Sequence, residues 1–66
     1  MKDIKPGDLI TYRTFSGEYR KVTVTNVTDD IKNGRAGFDG IIVGWPTDYI
    51  WGYNTQIIEI LTKENN

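Results

Sequence analysis

This sequence predicts an all-β fold. Three observations carry that prediction. Residues with high strand propensity gather in short runs, turn-forming residues separate the runs at close intervals, and no window keeps apolar residues at helical spacing without a Gly or Pro interruption. The 66 residues make one domain, 1–66, with 5–62 as its ordered core and 63–66 as a polar tail. A chain this short buries only about 60% of the surface its unfolded form exposes, so the core is small. Five short strands in such a chain predict a strongly bent sheet that closes on itself, because closure removes exposed edges.

Pro6-Gly7-Asp8 is a turn: Pro presets one dihedral and Gly permits a positive one. Leu9 to Phe15 follows as the first strand, rich in β-formers. Ser16-Gly17-Glu18 is a short hairpin turn. Tyr19 to Thr28 is the clearest strand, with Val22 and Val24 on one face and Lys21, Thr23 and Thr25 on the other. The alternation slips near Asn26-Val27, which predicts a bulge or the strand end. Residues 29–37 form a polar loop, the longest connection. Phe38 to Gly44 is the third strand, with Gly40 and Gly44 marking bends or close backbone approach. Trp45-Pro46-Thr47-Asp48 turns the chain into a fourth strand, Tyr49 to Tyr53. Asn54-Thr55-Gln56 reads as one 3₁₀ turn, and Ile57 to Thr62 as the fifth strand.

This order of parts resembles an SH3-like barrel of the KOW or Tudor type. The resemblance is carried by Lys5-Pro6-Gly7-Asp8-Leu9-Ile10-Thr11 at the start and by Asn54-Thr55-Gln56 before the last strand. Such barrels commonly open with Pro/Val-Gly-Asp and place a 3₁₀ turn before strand five. Gly17 can serve as the glycine of the KOW pattern, but the basic surroundings of ribosomal KOW domains are missing. The resemblance implies a small five-stranded SH3-like barrel. A second resemblance is to small orphan proteins of bacteriophages and prophages. It rests on residues 32–40, Lys32-Asn33-Gly34-Arg35-Ala36-Gly37-Phe38-Asp39-Gly40, followed by residues 51–57.

Composition narrows the chemistry. With no Cys and no His, a disulfide or a zinc finger is impossible, and the commonest acid–base catalyst is missing. Asp29, Asp30, Asp39, Asp48 and Glu59 are spread through turns and exposed positions, and Asp29-Asp30 reads as a solvated acid pair rather than a cation site. Ser16 lies in a turn without a nucleophile context. The expectation is no enzyme, no cofactor and no metal. Eight basic and nine acidic residues leave a formal charge of −1, which lacks the strong basic signature of a nucleic-acid binder. No apolar run is long enough to span a membrane and the N-terminus has no apolar signal core, so a cytoplasmic setting is expected, in a bacterium or a phage-infected host. Asn26-Val27-Thr28 matches a glycosylation sequon by chance.

Four of the eight aromatic residues fall within 45–53: Trp45, Tyr49, Trp51 and Tyr53. Alternation puts Tyr49, Trp51 and Tyr53 on one face and Ile50 on the other. If Ile50 faces the core, the three rings line an exterior strip suited to binding. If Trp51 faces the core, it is the central filler. A Trp buries up to about 250 Å² at roughly 25 cal/mol/Å², which favours Trp51 inside. Trp45, beside Pro46 in a turn, is then the exposed anchor.

Gly34-Arg35-Ala36-Gly37 matches the GXXG of KH domains, but it joins strands rather than helices and reads as a loop whose glycines supply positive dihedrals. Arg35 at its tip is a candidate partner for phosphate or carboxylate. Arg13, Phe15, Arg35, Phe38 and Trp45 are candidates for a mixed basic–aromatic patch, suited to a protein loop, a methylated lysine or single-stranded nucleic acid. The competing reading has Phe15 and Phe38 capping the barrel ends. Arg20-Lys21 with Arg13 is a basic stripe that reads first as a solubility device.

The candidate binding residues are therefore Arg13, Phe15, Arg35, Phe38, Trp45, Tyr49 and Tyr53. The expected function is a protein–protein interaction module, as in a phage-encoded factor that docks on a bacterial host protein. The alternatives are a nucleic-acid-binding module of KOW type, and a small-ligand or nucleotide binder with its pocket beside residues 29–37.

Overall fold

A computed structural model describes residues 4–44 and 47–62. Pro6 and Gly7 fill the centre of the opening turn. Gly7 has a φ of 98°, and the Asp8 N–H donates to the Lys5 carbonyl at 3.0 Å. The Asp8 carboxylate is buried, accepts the Lys5 N–H at 3.0 Å, and lies 3.6 Å from the Lys5 ammonium. The turn delivers the chain to β1 (Leu9–Arg13). β2 (Tyr19–Lys32), β3 (Arg35–Ile42), β4 (Tyr49–Tyr53), a 3₁₀ turn (Asn54–Gln56) and β5 (Ile57–Ile60) follow. All pairings are antiparallel, in the order β4-β3-β2-β1-β5. The protein is an all-β domain built on one five-stranded sheet, with a 3₁₀ turn before the last strand, as the sequence leads one to expect.

Strand boundaries differ from expectation: β3 ends at Ile42 rather than Gly44, β5 ends at Ile60 rather than Thr62, and two larger differences shape the loops. β1 ends at Arg13 rather than Phe15, because the Thr14 N–H donates to the Glu18 carbonyl at 2.7 Å and the Gly17 N–H to the Thr14 carbonyl at 2.9 Å. These bonds close a three-residue loop, Phe15-Ser16-Gly17, whose last member takes a φ of 92°. Residues 29–37 are not an open loop. β2 and β3 run toward each other until Asn33 and Gly34, at φ 57° and 72°, turn the chain alone, with Lys32 opposite Arg35. The extension is irregular between Thr28 and Lys32 and mostly exposed, so it carries no apolar alternation.

The core is Ile10, Tyr12, Val22, Val24, Phe38 and Ile57, flanked by Ile4, Val27, Ile42, Ile50 and Ile60. The slip foreseen near Asn26 is a bulge: Val24 pairs with Gly40, yet Asn26 pairs with Asp39 and Val27 with Phe38. The extra residue returns Val27 to the core side. Gly40 is required there, since a Cβ would overlap Val22 Cγ1 and sit 2.7 Å from the Thr23 carbonyl oxygen. Phe38 is fully enclosed, edge-on to Tyr12 at 5.7 Å between centroids. It lies across from Gly52, whose missing Cβ makes room for the ring. This corrects the expectation that Phe38 belongs to a surface patch.

The sheet is curled. β4 and β5 are its outermost strands, four strand spacings apart, or about 19 Å in a flat sheet. The three-residue 3₁₀ link from Tyr53 to Ile57 spans about 8 Å at its usual rise. Bending the sheet resolves that mismatch and brings the β1–β2 loop toward β4. Among the described residues no strand pairing joins β4 to β5.

Candidate functional site

Ile50 packs on the core, so Tyr49, Trp51 and Tyr53 point to the opposite face of β4. Trp51 is half-buried and outside the core cluster, which corrects its expected role as central filler. The curl supplies its neighbour. Phe15, on the β1–β2 loop, lies 5.6 Å from Trp51 and 6.1 Å from Tyr53, and Trp51 lies 5.4 Å from Tyr53, all between ring centroids. Phe15 is nevertheless 69% exposed.

The β2–β3 turn folds over this trio. Lys32 Nζ stands 5.0 Å from the Trp51 ring centroid, and the Arg35 guanidinium 4.5 Å from that of Tyr53. Asn33 Nδ2 donates to Tyr53 Oη at 3.0 Å. Gln56 ties the other side. Its Oε1 accepts the Tyr53 N–H at 2.9 Å, and its Nε2 donates to the Arg13 carbonyl at 2.8 Å. Two hairpin loops, the end of β4 and the 3₁₀ turn therefore meet at one end of the sheet.

Beside Phe15 lies an open groove of about 500 Å³, lined by Arg13, Gly17, Thr55, Gln56 and Ile58 among others. A second concavity of about 360 Å³, at Tyr19, Lys21, Ile42 and Val43, has no link to the ring cluster.

Of the residues expected at a site, Arg13, Phe15, Arg35 and Tyr53 converge. Tyr53 is a buried support rather than a contact surface. Tyr49 shares the face and is 73% exposed, but it takes no part in the ring cluster among the described residues. Phe38 is inside, and Trp45 lies outside the described residues. Sequence reasoning missed Lys32, Gln56 and Ile58 as site members. It left Trp51 off the candidate list, although one of the two readings of β4 placed it on the exterior strip where it lies. A signal existed for Lys32, because residues flanking a two-residue Asn-Gly turn face each other across the hairpin.

The geometry decides between ligand chemistries. Aromatic cages for methylated ammonium hold rings apart around a slot. Here the rings pack on one another at the spacing of direct aromatic pairs, and the faces of Trp51 and Tyr53 carry the protein's own cations. A methylated lysine does not fit between them. Among the described residues no group of three or more acidic side chains lies close enough to hold a metal, and no helix is long and apolar enough to cross a membrane. Compared with known protein families, curated proteins and solved structures, the chain matches none.

Proposed function

We propose that this chain is a non-enzymatic docking module, an SH3-like barrel that binds a segment of another protein in the groove beside Phe15. The observation that carries this reading is Phe15 itself, a large apolar ring 69% exposed yet held in place by Trp51 and Tyr53. Full burial of a Phe side chain stabilises by about 1.5–3 kcal/mol, and most of that remains unrealised until a partner covers the ring. The strand order and the short 3₁₀ link support the barrel. The likeness of residues 32–40 and 51–57 to short phage reading frames makes a bacterial cytoplasmic protein the partner we propose.

The test is affinity capture from bacterial lysate with the native chain and with Phe15→Ala. The expected result is a discrete captured protein that the variant loses while its circular dichroism spectrum stays unchanged. Equal capture by both chains contradicts the reading.

A second reading, single-stranded nucleic acid, is favoured by one observation: Arg13 lines the groove with the exposed ring of Phe15, while Lys32 and Arg35 lie over the Trp51 and Tyr53 rings that Phe15 packs on. It predicts oligonucleotide binding that falls steeply with salt, whereas a ring-anchored protein contact changes little.

A further inference from the structure

We infer that the groove takes an acidic peptide segment: the Arg13 guanidinium receives a carboxylate, and Phe15 and Ile58 clasp the apolar side chain next to it. This rests on the docking reading and specifies the chemistry of the partner.

Arg13 stands apart from most other cations of the chain. Lys5 is paired with Asp8, Arg20 with Glu18, and Lys32 and Arg35 lie over rings. The Arg13 guanidinium has no acidic partner among the described residues, yet its position is prepared. Gln56 holds its carbonyl, and a Cβ at Gly17 would come within 3.6 Å of Nη2, so the planar head lies alongside a residue with no side chain of its own. No acidic side chain lines the groove, and Glu18, the acid closest in sequence, is engaged by Arg20. A guanidinium fork left open in such a wall matches a carboxylate in bidentate geometry.

The apolar half has its own cause. β5 pairs with β1 as Glu59 opposite Thr11 and Ile57 opposite Tyr12, so Ile58 is the extra residue of a bulge. Ile57 stays buried and Ile58 is turned outward, 50% exposed, onto the groove. Bulges re-aim side chains in this way next to binding sites. Phe15 and Ile58 thus offer apolar surface beside one unpaired cation. A nucleic-acid backbone, with a charge on every nucleotide, calls for several free cations along its track. This groove has one, in a chain of net charge −1.

Fluorescence anisotropy tests this with three labelled probes: a short peptide alternating aspartate and leucine, the same peptide with asparagine for aspartate, and a single-stranded oligothymidylate. The expected result is binding of the acidic peptide alone, weakened about tenfold or more by Arg13→Gln. Ile58→Ser and Phe15→Ala are each expected to weaken it severalfold. Arg13→Lys guards against a misfolded Arg13→Gln; it keeps the charge but loses the fork, and falls between the two. Equal binding of the asparagine peptide overturns the carboxylate assignment and leaves the docking reading standing. Binding of neither peptide also overturns it, and the docking reading is then decided by whether Phe15→Ala still captures the lysate protein. Tighter binding of oligothymidylate, lost in Arg13→Gln, overturns both.

Discussion

Phe15 and Phe38 carry the same side chain to opposite ends. Phe38 is enclosed against Tyr12 and Gly52, while Phe15 rests on two rings and faces water. Phe38→Ala should cost about 3–5 kcal/mol. A domain of this length has about 3–10 kcal/mol in total, so urea titration should find that variant largely unfolded. Phe15→Ala forfeits two ring contacts and should cost about 1 kcal/mol, a modest shift of the same midpoint. Tyr12 makes a pH-dependent prediction. Burial pushes its phenol above the ordinary value, against an opposing pull from Arg20. A raised folded-state value means the neutral phenol is favoured in the folded chain. Its contribution to stability is therefore complete below pH ~10 and is lost as pH rises through the folded value. Native chain and Tyr12→Phe should show different slopes of stability against pH above that point, and parallel slopes would contradict the assignment. The fates of the two phenylalanines could not be read in advance, because neither is settled by local alternation. Phe15 lies on a loop rather than a strand, and Phe38 is enclosed by Tyr12 and by Gly52 across the sheet, both distant in sequence.

At the scale of elements, the strands were legible wherever apolar residues alternate, as in Val22 and Val24, and even the bulge after Val24 left its mark. The hairpin beyond Thr28 was not, since both its faces are wet and its pairing is irregular. That hairpin sets the roof of the site. Two glycine substitutions, one in its turn and one in the core part of β3, separate backbone cost from packing cost. Gly34 has open space around its α-carbon but a φ of 72°, so Gly34→Ala should lose about 1 kcal/mol through strain alone. Gly40 has an ordinary φ but no room, so Gly40→Ala should lose about 2 kcal/mol or more through displacement of Val22 and the β2 backbone. Chemical denaturation of the pair measures both. A larger loss at Gly34 than at Gly40 would contradict this division.

The whole molecule explains why the site was only half visible in the sequence. Arg13 and Phe15 are close in sequence, but Trp51, Tyr53, Lys32 and Ile58 join them only because the sheet curls to match a three-residue link. That curl is a property of the strand order, which no local window contains. Gln56 locks it, joining the end of β4 to the end of β1 through two hydrogen bonds. Gln56→Ala should cost about 1 kcal/mol by removing those two hydrogen bonds, one part-buried and one exposed. It should also loosen Phe15 from Trp51, read as a change in tryptophan emission. The low net charge was visible from the start, and it is the molecule-wide fact that weighs against a polyanionic partner.

The central claim is that the end of the sheet bearing Phe15 is where a partner docks. Amide chemical-shift mapping of the isotope-labelled chain, titrated with the protein it captures, tests that claim most directly. The account predicts perturbations concentrated at residues 13–17 and 55–58, with Tyr19, Lys21 and Val43 unmoved. Perturbations centred on those three instead, with residues 13–17 silent, would contradict it.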